Sequence, residues 1–401
     1  MRRGGSTSSR NAFANRSKRP ILSVKLRRTS REMNAVPSQA RLNSAFTSPT
    51  KNKKKMLNSQ DRRNDYDVTN TVQVSDPVAV RNAVSDLFTE AFPGASFDKL
   101  WLAFYDFSRL FSGQYPGYLG CDTTYHDMQH TLDMTLALAR LVAGYEKSAD
   151  PGERLGAHRA QMTIVTSLFH DAGYIRHIER DRDFTNGAEF TLYHVSRSAD
   201  FLRRYLPELG MAKDVAVSSM IVHFTGYELD LDNIELDDPR DAICGHLLGT
   251  ADLIAQMADR CYLEKCRDRL YTEFVVGGVA IENASPGEYM VRYESGIDLL
   301  KKTPTFYQHA TRDRLQKKFN RAYRYAEVLF DGQNPYVTAI RRNLTHLVKV
   351  LKTNGWELLR RDPPYFVGVD GAFENMESVA QELLAAIPKE HLELPPNSMP
   401  G

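Results

Sequence analysis

From about residue 77 to residue 359 the apolar residues of this chain recur at helical spacing, and the alternation that a half-buried strand needs is nearly absent. Val78–Phe92 and Phe97–Phe111 form amphipathic patterns separated by Pro93-Gly94. Beyond a Gly- and Pro-containing loop over 112–124, a largely buried helix is expected over His126–Tyr145, with Leu132, Leu136, Ala139 and Val142 on one side. A second buried helix covers 157–171 and stops at Gly173. Asn186-Gly-Ala-Glu189 has the form of a capping box and should open a helix through Tyr205, ended by Pro207. Lys213–Phe224 is a further helical segment, and Asp238-Pro239 is a helix start leading into Arg240–Arg260. More helix is expected at 262–274, 287–301, 305–330 and 335–359, with Phe274–Ile281 as the strand candidate. A chain patterned in this way buries its faces helix on helix, so the expectation is an all-α bundle over about 75–360.

The two ends differ from this middle. Residues 1–70 are rich in Arg, Ser, Asn and Lys and lack periodicity, which predicts a disordered basic tail, because such a segment buries too little surface to offset its ordering entropy. Residues 1–60 hold fifteen Lys/Arg and one acid, Glu32, leaving 37 basic and 49 acidic residues in the remainder. The net charge of +2 therefore hides an acidic folded part. The tail fits a disordered arm or an extension ahead of a start at Met56; an organelle transit peptide and an arm for nucleic acid or an anionic surface are the other readings. Residues 361–401, with prolines at 363, 364, 388, 395 and 396, suggest a poorly ordered tail around a short helix over Met376–Ile387. No apolar stretch approaches the roughly 20 residues that span a bilayer, so no membrane partner is expected. Cys121, Cys244, Cys261 and Cys266 include no CxxC pair, which suits reduced thiols in a cytoplasmic protein better than a disulfide framework or a thiolate zinc site.

Chemistry is concentrated in a few histidines and aspartates. His170-Asp171 closes the apolar stretch Met162–Phe169, and a buried carboxylate at a helix end calls for a compensating cation: a metal, or Arg176 or Arg180. His126 and His130 stand at i and i+4, roughly 6 Å apart on one helix face if the helix includes both. Asp252 lies among Leu248, Ala251 and Ala255, where either a metal or a partner such as Arg260 would answer its charge. His194 and His223 sit on apolar faces and, taken singly, fit hydrogen-bonded core histidines. Imidazoles and carboxylates together are a ligand set for a hard-to-borderline divalent ion, and Fe, Mn, Zn, Co and Mg all accept it. Arg176, Arg180 and Arg260 are candidates for contacting a phosphate, since guanidinium forks suit its oxygens, although a solvated loop paired with neighbouring acids is the plainer account of the first two.

The order H…HD…H…H…D, with YHDMQH ahead of LFHDAGY and a later GTADLIAQMADR, resembles the HD superfamily of metal-dependent phosphohydrolases over about residues 120–265. The YHxxxH opening is similar to the cyclic-nucleotide phosphodiesterase branch, whereas Tyr174 stands where that branch carries a second histidine and no purine-clamping glutamine is identifiable. The resemblance implies an HD-type helical bundle with additional C-terminal helices. By position it implies His130, His170, Asp171 and Asp252 as ligands of a principal metal, with Asp171 bridging to a second ion completed by His194 and His223. It further implies His126 as proton donor and attack on a small phosphorylated substrate by metal-bound hydroxide, one or two divalent ions being the cofactor. A di-iron oxygenase built on the same ligands and a non-catalytic module that binds a nucleotide or a partner protein are the alternatives. Nucleic acid is expected to bind only through the basic tail.

Overall fold

A computed structural model of the chain describes residues 62–285, 288–364, 366 and 369–387. Residues 1–61, most of the basic tail expected from composition, lie outside the described residues. The all-α expectation holds: the described elements are helices apart from one two-stranded hairpin.

Helices α1 (Pro77–Ala91) and α2 (Asp98–Phe111) precede the central helix α3 (Met128–Ser148), whose residues are buried from Gln129 to Tyr145. Then come α4 (Gly156–Leu168), α5 (His194–Glu208), α6 (Val215–Ile221) and α7 (Pro239–Ala258). Helix α3 packs against α7, α1 and α4, so the elements that bear the predicted ligands surround one axis. Helices α1 and α7 both start on an Asp-Pro pair, Asp76-Pro77 and Asp238-Pro239. In each the aspartate side chain accepts a backbone N–H of the first turn, and the proline sits where a missing N–H costs nothing.

The later elements depart more from expectation. The stretch 262–276 is α8 (Tyr262–Lys265), a π-helical turn over Cys266–Leu270 and α9 (Tyr271–Val276). Strands β1 (Ile281–Ser285) and β2 (Glu288–Val291) pair antiparallel, Ile281 opposite Val291 and Asn283 opposite Tyr289. The strand candidate is thus shifted toward the C-terminus, with Phe274 inside α9, and the helix expected over 287–301 becomes a strand followed by α10 (Gly296–His309). Helix α10 starts where Ser295 accepts the N–H of Asp298. It continues as a π-helical stretch, Ala310–Lys318, until Asn320 and Arg321 turn left-handed and end the run expected to reach residue 330. Helix α11 (Pro335–Thr353) is closed by Asn354 in the left-handed conformation, earlier than the expected residue 359. Helix α12 (Ala372–Ala385) buries Met376 and Ala380 against α9, so this part of the C-terminal tail belongs to the fold.

The N-terminal boundary also moves. Asp67, placed by composition in the disordered tail, is fully buried and meets Arg140 of α3 at 2.7 Å. The same carboxylate accepts the backbone N–H groups of Thr69, Thr71 and Val72, and Arg140 also donates to the Tyr336 hydroxyl. Among the described residues no helix is long and apolar enough to cross a membrane.

Candidate metal centre

Asp127 decides where α3 begins. As N-cap it accepts the backbone N–H of His130 at 2.9 Å, which fixes the first turn and with it the His130 imidazole. His126 therefore lies ahead of the helix. The expected pair on one helix face is instead a loop residue against a first-turn residue, although their rings still stand 5.8 Å apart. Glu273 of α9, completely buried, holds that loop by accepting the backbone N–H groups of Tyr125 and His126 and the His126 Nδ1–H, the last at 2.6 Å. With Nδ1 engaged, His126 has Nε2 left for other chemistry.

Helix α4 ends at Leu168, two residues before the dyad. His170 and Asp171 occupy the turn that leads into a short 3-10 helix, Ala172–Tyr174, so Asp171 is not helix-interior. His170 Nδ1 donates to the Ser167 carbonyl at 2.8 Å. Gly173 makes the docking of this turn possible: a Cβ there would collide with the His194 carbonyl, while its N–H meets Ser198 Oγ at 2.9 Å and its carbonyl takes Arg197 Nε at 2.7 Å. His194 itself starts α5, with Nδ1 donating to the Thr191 carbonyl at 2.8 Å. Glu228 caps the same helix by accepting the Val195 and Ser196 N–H groups.

These elements bring the predicted ligands together. His130 Nε2 stands 3.6 Å from Asp171 Oδ2 and 3.3 Å from Asp252 Oδ1; His170 Nε2 stands 3.1 Å from Asp171 Oδ2 and 4.0 Å from Asp252 Oδ1. Ligand atoms of His130, His170 and Asp252 all lie within 4.8 Å of one another, and all three residues are buried. His194 Nε2 approaches the other oxygen of Asp171 at 3.7 Å. His223 sits in the 3-10 turn Val222–Thr225, buried, with Nδ1 lacking a hydrogen-bond partner and within electrostatic reach of His194 and Glu228; it forms no ion pair with Asp171.

The donor set fits a cation. Because Nδ1 of His170 is committed to a backbone carbonyl, a neutral imidazole turns a lone pair at Nε2 toward the carboxylates. His170 Nε2 and Asp171 Oδ2 are both buried without a hydrogen-bond partner. Acceptors facing acceptors in a dry site require a proton or a metal between them. Without a metal, burial pulls the His170 pKa down, but the Asp171 and Asp252 charges outweigh it and hold it up to about 9. Asp171 is likewise disfavoured by burial, yet His170, His126 and His130 push it well below the ordinary carboxylate range. His126 follows the same balance, with burial opposed by Glu273 and a net upward shift. For His194 and His223 burial prevails, which favours the neutral imidazole that a metal requires.

The arginines expected to contact phosphate are engaged elsewhere. Arg176 places its fork on Asp122 Oδ2 at 3.0 and 2.7 Å and its remaining nitrogen on the Phe184 carbonyl. Arg180 is exposed and reaches the Tyr118 hydroxyl at 3.4 Å. Arg260 falls past the end of α7 at Ala258, so it does not continue the Asp252 face, and its Nε donates to Asn64 at 3.1 Å. None of the three pairs with Asp171 or Asp252. Sequence reasoning missed Glu273, although a glutamate within Tyr271-Thr-Glu-Phe-Val-Val is a polar residue in an apolar helical stretch. Tyr174, noted only as a departure, packs its ring between His126 and His194 with centroids 4.7 and 4.4 Å away.

Comparison with known protein families, with curated proteins and with solved structures finds no match for this chain.

Proposed function

We propose that the chain is a metal-dependent phosphohydrolase acting on a nucleotide or another small phosphoester, with His130, His170, Asp171 and Asp252 holding a divalent ion. The observation that carries this reading is the buried convergence of two imidazole Nε2 atoms on the carboxylates of Asp171 and Asp252, at 3.1 to 4.0 Å, where His170 Nε2 and Asp171 Oδ2 have no hydrogen-bond partner. His194, 3.7 Å from the free side of Asp171, together with His223 would complete a second position. When bound, such ions supply a Lewis acid that acidifies water and offsets charge developing at phosphorus.

The chain's own residues supply the rest. Ser167 and Thr191 carbonyls fix the tautomers of His170 and His194 so that Nε2 faces the site. Glu273 orients His126 and favours its charged form, so Nε2–H can be given to the leaving oxygen. Tyr174 packs against His126 and His194 and restricts water at that wall.

The test is to reconstitute the purified full chain with Mn²⁺, Fe²⁺, Zn²⁺, Co²⁺ or Mg²⁺ and assay phosphate release from a panel of phosphoesters and nucleotides. Release that disappears in His170→Ala and Asp171→Ala supports the reading. Fewer than one ion per chain, unchanged by His170→Ala, would favour a non-catalytic module. Consumption of dioxygen by the reduced iron form without phosphate release would favour the oxygenase that the same ligands can build.

A further inference from the structure

The π-helical stretch Ala310–Lys318 carries one cation whose surroundings set it apart. Arg314 is 9% exposed and forms no ion pair with any carboxylate among the described residues. Its Nη1 donates to the Phe224 carbonyl at 3.2 Å and its Nη2 to the Gly226 carbonyl. Its plane lies over Tyr227, with the guanidinium carbon 3.7 Å from a ring that is itself 65% exposed. A guanidinium has five N–H donors, and these two carbonyls leave three for another acceptor. Leaving a cation in so dry a place without an anion is unfavourable.

Its position relative to the metal ligands follows from the backbone. Phe224 directly succeeds His223. The Phe224 carbonyl that receives Arg314 also lies 2.5 Å from where a Cβ on Gly249 would stand, one helical turn before Asp252 on α7. The carbonyl that receives Arg314 is therefore packed against the helix bearing Asp252 and belongs to the turn bearing His223, and the Asp252 charge reaches both Arg314 and the Tyr227 hydroxyl. The π-helical turn puts Arg314 out of register with the preceding helix, and turns of this kind recur at functional sites.

We infer that Arg314 is the substrate's phosphate clamp, its free N–H groups receiving non-bridging phosphate oxygens beside the metal position while Tyr227 keeps the fork flat at the mouth. The inference rests on the metal-dependent reading above and supplies the anion contact that Arg176, Arg180 and Arg260 do not provide. A purely structural Arg314 would only brace the end of the turn Val222–Thr225 by satisfying the Phe224 and Gly226 carbonyls.

The experiment is a calorimetric titration of inorganic phosphate, with acetate as control, into the full chain loaded with Mn²⁺, alongside Arg314→Lys and Arg314→Gln. Lysine keeps the charge without the fork; glutamine can still donate to a carbonyl. Phosphate should bind the wild type and weaken roughly tenfold to a hundredfold in both variants, the worth of a charge-assisted contact, while Mn²⁺ stoichiometry and the melting temperature of Arg314→Lys stay at wild-type values. Unchanged phosphate affinity in the two variants would overturn the inference, as would a wild type that takes up Mn²⁺ but discriminates nothing between phosphate and acetate. In both cases the metal centre would stand. A wild type that takes up none of Mn²⁺, Fe²⁺, Zn²⁺, Co²⁺ and Mg²⁺ would overturn the metal-dependent reading and the clamp with it.

Discussion

Glu273 meets Nδ1 of His126 at 2.6 Å across 147 residues of sequence, and the same carboxylate fixes the backbone N–H groups on which that histidine hangs. Glu273→Gln keeps an acceptor there but removes the charge that holds the His126 pKa above its ordinary value. The expected result is a wild-type metal content and a turnover lowered by about tenfold or more, with His126→Ala losing roughly 10²–10⁴-fold, the usual contribution of a general acid. A substrate with an activated leaving group should relieve both losses. If His126→Ala were fully active on a poor leaving group, the proton-donor role would be wrong.

Metal uptake should be linked to pH through His170. In the metal-free protein Asp171 and Asp252 overcome burial and hold that imidazole up to about 9, so near neutrality it carries a proton that an incoming ion must displace. Its charged form stabilises the metal-free fold fully below the ordinary histidine pKa, and that contribution fades as pH rises through about 9. Metal affinity should accordingly rise between about pH 6 and about pH 8, with proton release seen as a dependence of binding heat on buffer ionisation. An affinity flat over that interval would count against His170 as a ligand, and His170→Ala or Asp252→Ala should abolish uptake.

The centre was legible because its residue types are costly to bury without a cation: His170-Asp171 after an apolar stretch and Asp252 among small residues mark themselves. Its supports were not, because they come from distant parts of the chain. Glu273 reaches back 147 residues and Asp67 reaches forward 73, and neither partnership leaves a local pattern. Local competition hid other details. Asp127 takes the N-cap and leaves His126 outside α3, while the capping box at Asn186-Glu189 is real but opens a short 3-10 turn, Gly187–Phe190, rather than α5. Strand β2 has no strand signature of its own, since its pairing with β1 rather than its local sequence stabilises it. Arg176 and Arg180 stand close to the dyad in sequence yet turn to Asp122 and Tyr118, because nearness along the chain does not fix where a long side chain finds its partner.

Gly173 should tolerate no side chain. A Cβ there meets the His194 carbonyl, backbone that cannot swing aside without moving either the dyad turn or the start of α5, and the Arg197 Cβ beside it. Gly173→Ala should lower stability by about 1–3 kcal/mol, the range for overpacking a close contact, and should weaken occupancy of the position between Asp171 and His194 more than that between His130 and Asp252. Unfolding in urea and metal stoichiometry measure the two effects separately. A variant with wild-type values in both would mean that the turn is more yielding than its packing indicates.

The Asp67–Arg140 pair should set the acid limb of stability. Burial opposes the charge on Asp67, but Arg140 at 2.7 Å together with the Thr69 hydroxyl and the Val72 N–H overcomes it and lowers the pKa to about 2. A depressed carboxylate contributes stability that is complete above its unfolded pKa and is lost as pH falls through its folded one, which places the loss between 3.8 and about 2. Arg140→Met leaves the buried carboxylate without its cation, beside an Asp133 that burial already pushes up to about 7. The expected loss at neutral pH is about 3–5 kcal/mol, the usual consequence of removing one partner of a buried pair, and the acid dependence between 3.8 and about 2 should vanish because Asp67 would then be protonated. Urea unfolding across that range checks both statements, and a loss below about 1 kcal/mol, the scale of an exposed pair, would show that the segment around residue 67 is not part of the folded core.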